Sequence, residues 1–410
     1  MKKGYKQTDI GVIPQDWDVK RLKDIAAFYS GGTPLTSIAS YYGGDISWIT
    51  SSDLNKQIIN EVNGRITPLG LDNSSAKMVE KDTLLIAMYG ATAGVTAITK
   101  IRAAINQAVL AVIPQSDETL FLYYVLSFFK NQIINTYTQG GQPNLSSEII
   151  KSISIALPAA PSEQRAIAAA LSDVDALLNS LDALIAKKRL IKQGAMQELL
   201  TGKKRLPGFS GEWEKCSLSA LGTFSKGRGI KKDEVVTDGI PCIRYGEIYT
   251  LYNDYIRKFY SFISRDIAKQ SQLIKKGNLL FTGSGETAEG IGKCVAFLGN
   301  EEAYAGGDVV IFTPVNQNSM YLGYLMNHSS IIAQKSRMAQ GDAIVHISAQ
   351  KLGQLQLHLP KENEQTAIAE ILSDMDAEIS ALEQKREKTR QLKQGMMQEL
   401  LTGRIRLVQP

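Results

Sequence analysis

One segment occurs twice in this chain, and its two copies match position by position without an insertion or deletion. The first copy is Glu163–Gly202 and the second is Glu364–Gly403, and both end in the string MQELLTG. An internal repeat constrains the fold more than any other feature, because it decides the architecture of the chain. A segment repeated at constant length indicates an element whose length must be kept.

The segments that precede the two copies correspond more loosely. Trp17 matches Trp213, and the run DTLLIAMYGAT at Asp82–Thr92 matches GNLLFTGSGET at Gly277–Thr287. The spacing between matching positions drifts, so short insertions and deletions separate the two bodies. The pattern indicates a duplicated gene in which a variable domain and a constant helix alternate twice.

Both repeated segments carry the signals of one long helix. Ser162 and Asn363 are predicted N-caps, and Gly202 and Gly403 are predicted to end the helices. The predicted length is about 39 residues, or about 60 Å at 1.5 Å per residue. Apolar residues recur at alternating steps of three and four, which is typical of a coiled-coil seam. The predicted seam residues are Ile167, Leu171, Val174, Leu178, Leu181, Ile185, Ile368, Leu372, Met375, Ile379 and Leu382.

Charged residues then occupy the register of the seam, namely Lys188, Lys192, Arg386 and Lys393. Two interpretations remain open: two separate surface helices, or two copies that pack on each other in antiparallel orientation. The second is favoured because a helix of this length is marginal without a packing partner.

The two bodies are predicted to mix strands and short helices. The predicted strands are Ile46–Thr50, Thr83–Met88, Val109–Ile113, Ile240–Tyr245, Asn278–Thr282 and Val309–Thr313. The predicted short helices are Phe121–Asn131 and Tyr321–Met326. The fold class is therefore α+β, with two pseudo-symmetric domains joined by two long antiparallel coiled-coil helices. The predicted domains are residues 1–158, 159–202, 203–359 and 360–410.

Composition is that of an ordinary globular protein, with 44% hydrophobic and 21% charged residues. The formal net charge of +5 permits nucleic-acid binding without demonstrating it. The three cysteines lie far apart and without a CxxC motif, as expected for reduced structural residues. The amino-terminal segment lacks the apolar core of a signal peptide, and no run is long enough to span a bilayer. We therefore expect a cytoplasmic protein.

No motif predicts a catalytic or metal site. The string GSGETA at Gly283–Ala288 resembles part of a dinucleotide-binding turn, but the following Gly290 and Gly292 argue against the required helix. Only three histidines are present, and none has a metal-ligand spacing with cysteine. Asp173 and Asp175 are expected to be solvated. The three tryptophans, Trp17, Trp48 and Trp213, are expected to pack in cores.

Several motifs, in the same order in both halves, resemble the specificity subunit of a Type I restriction–modification system. They are SGGTP at Ser30–Pro34, GDISWITSSDL at Gly44–Leu54, GQPNLS at Gly141–Ser146, PCIRYGEIYT at Pro241–Thr250 and the MQELLTG helix ends. The second half departs from this pattern, because GDAIVHIS at Gly341–Ser348 stands where the first half has GQPNLS. That departure bears on which bases are recognised.

The resemblance implies a non-catalytic subunit that binds double-stranded DNA and recognises a bipartite asymmetric sequence. Its partners would be two modification subunits, which methylate adenine N6 with S-adenosylmethionine, and ATP-dependent restriction or motor subunits. No cofactor, metal or membrane contact is expected of this chain itself. The helices would set the gap between the half-sites and dock the modification subunits.

Candidate DNA contacts are the Lys, Arg, amide, hydroxyl and related polar side chains of the turns in each body, since such groups bind phosphates and base edges. In the first body they are Ser30, Thr33, Thr50, Ser51, Ser52, Tyr89, Thr92, Gln142 and Asn144. In the second body they are Lys226, Arg228, Lys231, Lys232, Arg244, Tyr245, Ser284, Glu286, Thr287 and His346. Alternative functions are a subunit of a Type IIB-like enzyme, a free-standing enzyme with a cofactor at the GSGETA turn, and a structural coiled-coil adaptor.

Overall fold

The computed structural model describes residues 4–138, 143–341 and 344–408, and its internal contacts divide the chain into two units. Unit 1 comprises Met1–Asp182 with Lys385–Pro410, and unit 2 comprises Ala183–Gln384. Each unit therefore holds one body and parts of both repeated helices. The division into four consecutive segments drawn from the sequence stays a prediction.

The described residues of unit 1 form two main sheets and two strand pairs. The sheet orders are β4-β12-β9-β10-β6 and β7-β5-β11-β8, and the pairs are β1-β2 and β13-β3. The strands are β1 (Tyr5–Thr8), β2 (Gly11–Pro14), β3 (Trp17–Arg21), β4 (Ala26–Ser30), β5 (Tyr42–Ile49), β6 (Ile58–Ile59), β7 (Arg65–Ile66), β8 (Lys77–Val79), β9 (Leu84–Ala87), β10 (Thr96–Thr99), β11 (Ala103–Ile105), β12 (Val109–Pro114) and β13 (Ser154–Pro158). The shorter helices are α1 (Pro68–Asp72), α2 (Thr119–Tyr137) and α3 (Ser147–Ser152), and the first long helix is α4 (Pro161–Leu199).

The described residues of unit 2 also form two main sheets and two strand pairs, with different strand numbers in each sheet. Its sheet orders are β15-β24-β20-β22 and β16-β18-β17-β23-β19, and its pairs are β14-β26 and β21-β25. The strands are β14 (Glu214–Ser217), β15 (Gly222–Lys226), β16 (Val235–Val236), β17 (Ile240–Ile243), β18 (Ser261–Ile263), β19 (Gln272–Ile274), β20 (Leu279–Thr282), β21 (Ser284–Gly285), β22 (Cys294–Ala296), β23 (Ala303–Ala305), β24 (Val309–Pro314), β25 (Val345–His346) and β26 (Gln356–Leu359). The helices are α5 (Tyr245–Thr250), α6 (Arg265–Gln270), α7 (Ser319–Met326), α8 (Ser329–Met338), α9 (Ala349–Gly353) and the long α10 (Glu362–Leu400).

The predicted strands and short helices are all present, with differences at their ends. At Ile240–Tyr245 the strand stops at Ile243, and Tyr245 instead begins α5. The main-chain N–H of Arg244 donates to the Glu247 carboxylate at 3.1 Å, which satisfies a group at the start of this helix. The predicted helix at Phe121–Asn131 is longer than expected, since α2 runs from Thr119 to Tyr137.

Each long helix has 39 residues, as the repeat predicts. The predicted N-caps are wrong, because the helices begin at Pro161 and Glu362 and so include Ser162 and Asn363 in their first turns. Proline suits the first helical position, where its missing N–H has no partner in any case. Past the other ends, Gly202 and Gly403 adopt φ values of +70° and +68°, as predicted for residues that terminate a helix.

Within each unit the two long helices run antiparallel, which confirms the favoured interpretation of the repeat. In unit 1, Lys393 pairs with Asp175 at 2.6 Å and Arg386 pairs with Asp182 at 2.8 Å. In unit 2, Lys192 pairs with Asp376 at 2.7 Å. As the residue number rises along one helix, its partner's number falls along the other.

The cations that interrupt the seam are therefore paired with acidic residues of the facing helix. In unit 2 Lys188 joins them by pairing with Glu378 at 2.6 Å. The expectation that Asp175 is solvated is wrong, because it also accepts a hydrogen bond from the Tyr124 hydroxyl at 2.8 Å. The buried seam residues are Ile167, Leu171, Leu181, Ile185, Ile368, Leu372 and Ile379, and the half-buried ones are Val174, Leu178, Met375 and Leu382.

The end of one long helix packs against the body of each unit. In unit 1 a Cβ on Gly403 would lie 2.4 Å from Pro14 and 3.3 Å from the ring of Trp17. In unit 2 a Cβ on Gly202 would lie 3.3 Å from the ring of Trp213. Trp17 and Trp213 are buried, as expected, whereas Trp48 is only half-buried.

An arginine beyond each of these glycines binds a buried glutamate. Arg205 donates two hydrogen bonds to the Glu364 carboxylate, at 2.6 and 2.7 Å. Arg406 binds Glu163 in the same way, at 2.5 and 2.7 Å, and also contacts Asp16. Both glutamates are almost inaccessible, at 3% and 1% exposure respectively. Bidentate pairs of this kind give geometric specificity as well as energy. Each one ties the segment after one long helix to the first turn of the other long helix.

Candidate nucleic-acid interface

The candidate residues lie in turns that main-chain hydrogen bonds bring together. In unit 2 the N–H of Gly283, just after β20, donates to Asp308 O at 2.7 Å, and Ile347 N–H donates to Gly283 O at 3.0 Å. β21 and β25 then pair Ser284 with His346. Three turns from distant parts of the sequence thus meet at the end of the sheet.

Unit 1 builds the same junction with different side chains. The N–H of Met88, just after β9, donates to Ala108 O at 2.8 Å, and Leu145 N–H donates to Met88 O at 2.8 Å. An isolated bridge pairs Tyr89 with Asn144. Tyr89 and Asn144 are therefore the structural counterparts of Ser284 and His346.

Three candidates of unit 2 surround one cavity of about 480 Å³, namely Lys226, Ser284 and His346. Asp308, which was not predicted from the sequence, also lines it. Lys226 and His346 are exposed, whereas Ser284 is only 6% exposed. The Ser284 hydroxyl lies 2.9 Å from Nδ1 of His346, so its contact is with the imidazole.

The basic loop at Lys226–Lys232 exposes its cations on an ordered backbone. The N–H of Arg228 donates to Ala305 O at 3.1 Å, and the Arg228 side chain donates to Gln270 O at 2.9 Å. A Cβ on Gly227 would lie 1.9 Å from Gly306 O, so this position requires glycine. Lys226, Arg228, Lys231 and Lys232 are all exposed.

Within this loop Ile230 adopts a conformation that β-branched residues rarely adopt, with φ of +60°. Its side chain is buried at 6% exposure and packs in a small apolar cluster with Ile263 and Ala268. Strained backbone persists only where its surroundings hold it, and such residues concentrate at functional sites.

The turn that follows β17 places the Arg244 side chain against the buried carboxylate of Glu247. Its guanidinium donates to the Glu247 carboxylate at 2.9 and 3.1 Å, and Glu247 is 6% exposed. Arg244 is therefore half-buried and held in place, while the neighbouring Tyr245 is exposed. Burial and the nearby Glu247 raise the pKa of the Cys242 thiol to about 12, which keeps this cysteine protonated at neutral pH.

The corresponding turn after β5 in unit 1 contains Thr50, Ser51 and Ser52. The Thr50 N–H and hydroxyl both donate to the Asp53 carboxylate, at 2.9 and 2.8 Å. Thr50 and Ser51 are half-buried, and Ser52 is exposed. The same capping geometry thus supports a hydroxyl-rich turn in unit 1 and an arginine in unit 2.

The remaining candidates are exposed or half-buried, and some form local hydrogen bonds. Thr33 donates to the side chain of Gln107 at 2.5 Å, and Thr92 donates to Tyr89 O at 3.2 Å. The exposed candidates are Tyr89, Asn144, Glu286 and Thr287, and the half-buried ones are Ser30, Thr33 and Thr92. Gln142 lies outside the described residues.

Sequence reasoning missed the residues that hydrogen-bond to the candidates from the interior of the unit. The Tyr249 hydroxyl donates to Ser284 O at 3.1 Å and accepts from the Thr282 hydroxyl at 2.7 Å. Tyr249 lies within the PCIRYGEIYT motif, so its position was visible, but its partner 35 residues away was not.

A model of the Type I restriction modification DNA specificity domain matches residues 14–189 and matches residues 210–393 a second time. The chain belongs to this family of Type I specificity subunits. Its function is DNA sequence specificity in a Type I restriction–modification system. Both halves of the duplicated chain are thus accounted for by one domain type.

Two relatives from Methanocaldococcus jannaschii are similar to this specificity subunit. The Type I restriction enzyme MjaIX specificity subunit is 38% identical over 185 residues, which cover 43% of this chain and 42% of that one. The MjaVIII specificity subunit is 25% identical over 96% of this chain and 94% of its own length. All these matches are to Type I proteins, so they do not support the Type IIB-like, free-standing enzyme or adaptor alternatives.

A solved structure shares the fold. The S subunit of a Type I restriction–modification system from M. genitalium has a TM-score of 0.62, with 15% identity, and the match covers 98% of this chain and 99% of that one. Among the described residues, no helix combines the length and apolar character needed to cross a membrane.

Proposed function

We propose that this specificity subunit binds double-stranded DNA and recognises a bipartite asymmetric target, with each body reading one half. It would thereby direct adenine-N6 methylation by two modification subunits, and restriction once motor subunits join. The observation that supports this most is the duplicated junction, which presents Tyr89 and Asn144 in one unit and Ser284 and His346 in the other. Equivalent positions with different hydrogen-bonding groups suit two different half-sites.

The subunit acts without catalysis in this proposal. The side chains gathered at the junctions are amides, hydroxyls, an imidazole and cations, which are the groups that proteins use on phosphates and base edges. Methyl transfer from S-adenosylmethionine and hydrolysis of ATP belong to the partner subunits. The cationic loop at Lys226–Lys232 supplies part of the phosphate attraction.

The long helices dock the modification subunits in this proposal. Ile191 on α4 and Leu392 on α10 occupy the same position of the repeat, and they are 47% and 59% exposed. Exposed apolar surface marks interaction sites when it forms a patch, and next to Ile191 the side chain of Leu190 is also 69% exposed. A duplicated surface would bind two copies of one partner. The constant helix length would keep the spacing of the two half-sites constant.

The test is co-expression with the modification subunit of the same restriction–modification system, in a host without DNA methylation, followed by long-read mapping of N6-methyladenine. We expect a bipartite asymmetric motif methylated on both strands. A stable complex of the two proteins that produces no methylation would contradict the proposal. An empty-vector host provides the background, and the modification subunit alone shows whether specificity comes from this chain.

A further inference from the structure

The junction in each unit places an exposed polar side chain, Asn144 or His346, on a backbone segment that pairs with a neighbouring turn. We propose that positions 144 and 346 are equivalent base-reading positions, that Asn144 and His346 make the two half-sites differ there, and that Ser284 positions His346. This inference rests on the proposed function and specifies which residues of the interface determine specificity.

The backbone of His346 is held by neighbours on both sides. Its N–H donates to Gln340 O at 2.8 Å, and its carbonyl accepts from the Gln340 N–H at 3.1 Å. On the other side β25 pairs with β21, which places Ser284 opposite His346. The next residue, Ile347, is buried at 4% exposure and anchors the segment in the core. The exposed imidazole is therefore carried by a fixed main chain rather than by a free loop.

A partly buried series of hydrogen bonds then orients the ring. The Thr282 hydroxyl donates to the Tyr249 hydroxyl at 2.7 Å, and Tyr249 donates to Ser284 O at 3.1 Å. Ser284 in turn contacts Nδ1 of His346 at 2.9 Å. Because Nδ1 is engaged by Ser284, a base edge that approaches the exposed ring would meet Nε2. Side chains held by such supporting contacts discriminate between ligands without reorganising.

The surroundings fit a nucleic-acid ligand. His346 and Lys226 line the same cavity of about 480 Å³, and both are exposed. A cation beside a base-reading group is the usual pairing of a phosphate contact, which positions the protein, with a contact that specifies the base. Asp308 also lines the cavity and is exposed, so an acceptor for a cytosine amino group lies within the same site.

Asn144 offers different chemistry at the matching place in unit 1. Its amide carries both a donor and an acceptor, which is the pair that recognises N6 and N7 of adenine. Nε2 of His346 offers a single hydrogen bond, either as donor or as acceptor according to the tautomer. The two positions therefore share a backbone frame and select different bases.

The experiment exchanges the reading group and leaves the frame intact. His346→Asn places the unit 1 side chain in unit 2, and His358→Asn makes the same chemical change at an exposed histidine of β26 that bonds Trp213 O instead. Ser284→Ala removes the hydroxyl beside the ring, and Ser284→Thr keeps it. Each variant is purified with the modification subunit, its motif is mapped by methylation, and its preferred half-site is selected from a pool of randomised DNA.

We expect His346→Asn to change the preferred base at one position of one half-site, by about 5- to 150-fold, which matches the usual 1–3 kcal/mol of a base contact. The preferred sequence of the other half-site should not change in this variant. The complex with His358→Asn should methylate the same motif as wild type. Ser284→Ala relaxes the same base position that His346→Asn alters, and Ser284→Thr restores it. If His346 and Ser284 only stabilised the fold, their substitution would lower methylation at every site without changing the methylated motif.

Two results would overturn the inference while leaving the proposed function standing. One is selection of the wild-type half-site by the folded His346→Asn complex, and the other is relaxation by Ser284→Ala at a different base position. Should His346→Asn fail to fold, His346→Gln is judged by the same criteria. A wild-type complex that methylates no motif at all would instead refute the proposed function, and the inference with it.

Discussion

Removing the Arg406 side chain should loosen the contact between the segment after α10 and the first turn of α4 in unit 1. Among the described residues, Arg406→Ala leaves the carboxylate of Glu163, which is 1% exposed, with only a long hydrogen bond from Trp17 Nε1 at 3.4 Å. Breaking a buried pair by removing one partner costs about 3–5 kcal/mol. Because the Arg406 side chain is itself 20% exposed, water can partly replace it, and we expect a loss of about 2–4 kcal/mol.

Arg404→Ala is the matched control. Arg404 lies two residues earlier and pairs with Glu399 at 3.5 Å, but both side chains are exposed, so its removal should cost less than about 1 kcal/mol. Hydrogen exchange of the segment around Trp17 measures both effects. A loss of 2 kcal/mol corresponds to about 30-fold faster exchange in Arg406→Ala. Segments around Trp213 in unit 2 serve as an internal reference.

Lowering the pH should reduce the difference in local stability, and so in hydrogen-exchange rate, between wild type and Arg406→Ala. The Arg406 guanidinium lowers the pKa of Asp16, so this part of the stabilisation is present above the unfolded value of about 3.9 and is lost as pH falls through the folded value. Equal exchange rates in Arg406→Ala and Arg404→Ala at neutral pH would refute the reasoning, because they would show that the buried carboxylate needs no partner.

Three further outcomes follow from the structure. Arg228→Ala should weaken DNA binding and reduce the magnitude of its salt slope by about 1, measured by titration at several salt concentrations; an unchanged slope would remove the loop from the interface. Ile191→Asp or Leu392→Asp should lower the number of bound modification subunits from two to one, as measured by mass photometry. Leu177→Asp is the control and should leave two bound, because the equivalent position of the second helix is already acidic, at Glu378. Burial lowers the pKa of Lys335 to about 8, so wild type should gain stability relative to Lys335→Met as pH rises from about 8 to about 10 in thermal unfolding, and a pH-independent difference would contradict this.

The long helices could be predicted from the sequence because their signals are local and repeated. A period of three and four residues defines a face over many turns, and the glycines at 202 and 403 adopt the left-handed conformation that their positions require. Their first residues were misplaced because Pro161 and Glu362 also suit a first turn, and capping signals alone do not separate neighbouring starting points.

The junctions could not be derived from the sequence, because they depend on contacts between distant residues. Asn144 lies 55 positions after Tyr89, and His346 lies 62 positions after Ser284. Sequence patterns identified these residue types as suitable for DNA, but which turns meet is decided by sheet order. The role of Ser284 was hidden for the same reason, since its carbonyl accepts a hydrogen bond from Tyr249 on another element.

The same hydrogen bonds explain how two halves can keep one fold and recognise different bases. At both junctions the stabilising contacts join main-chain atoms, as from Leu145 to Met88 in unit 1 and from Ile347 to Gly283 in unit 2. Main-chain contacts do not depend on the side chain that projects outward at position 144 or 346. A substitution there therefore changes the groups offered to a base at little cost to the sheet, whereas a substitution at Glu163 or Glu364 would leave Arg406 or Arg205 without its buried partner. Specificity can diverge at the exposed positions for as long as the buried pairs are retained.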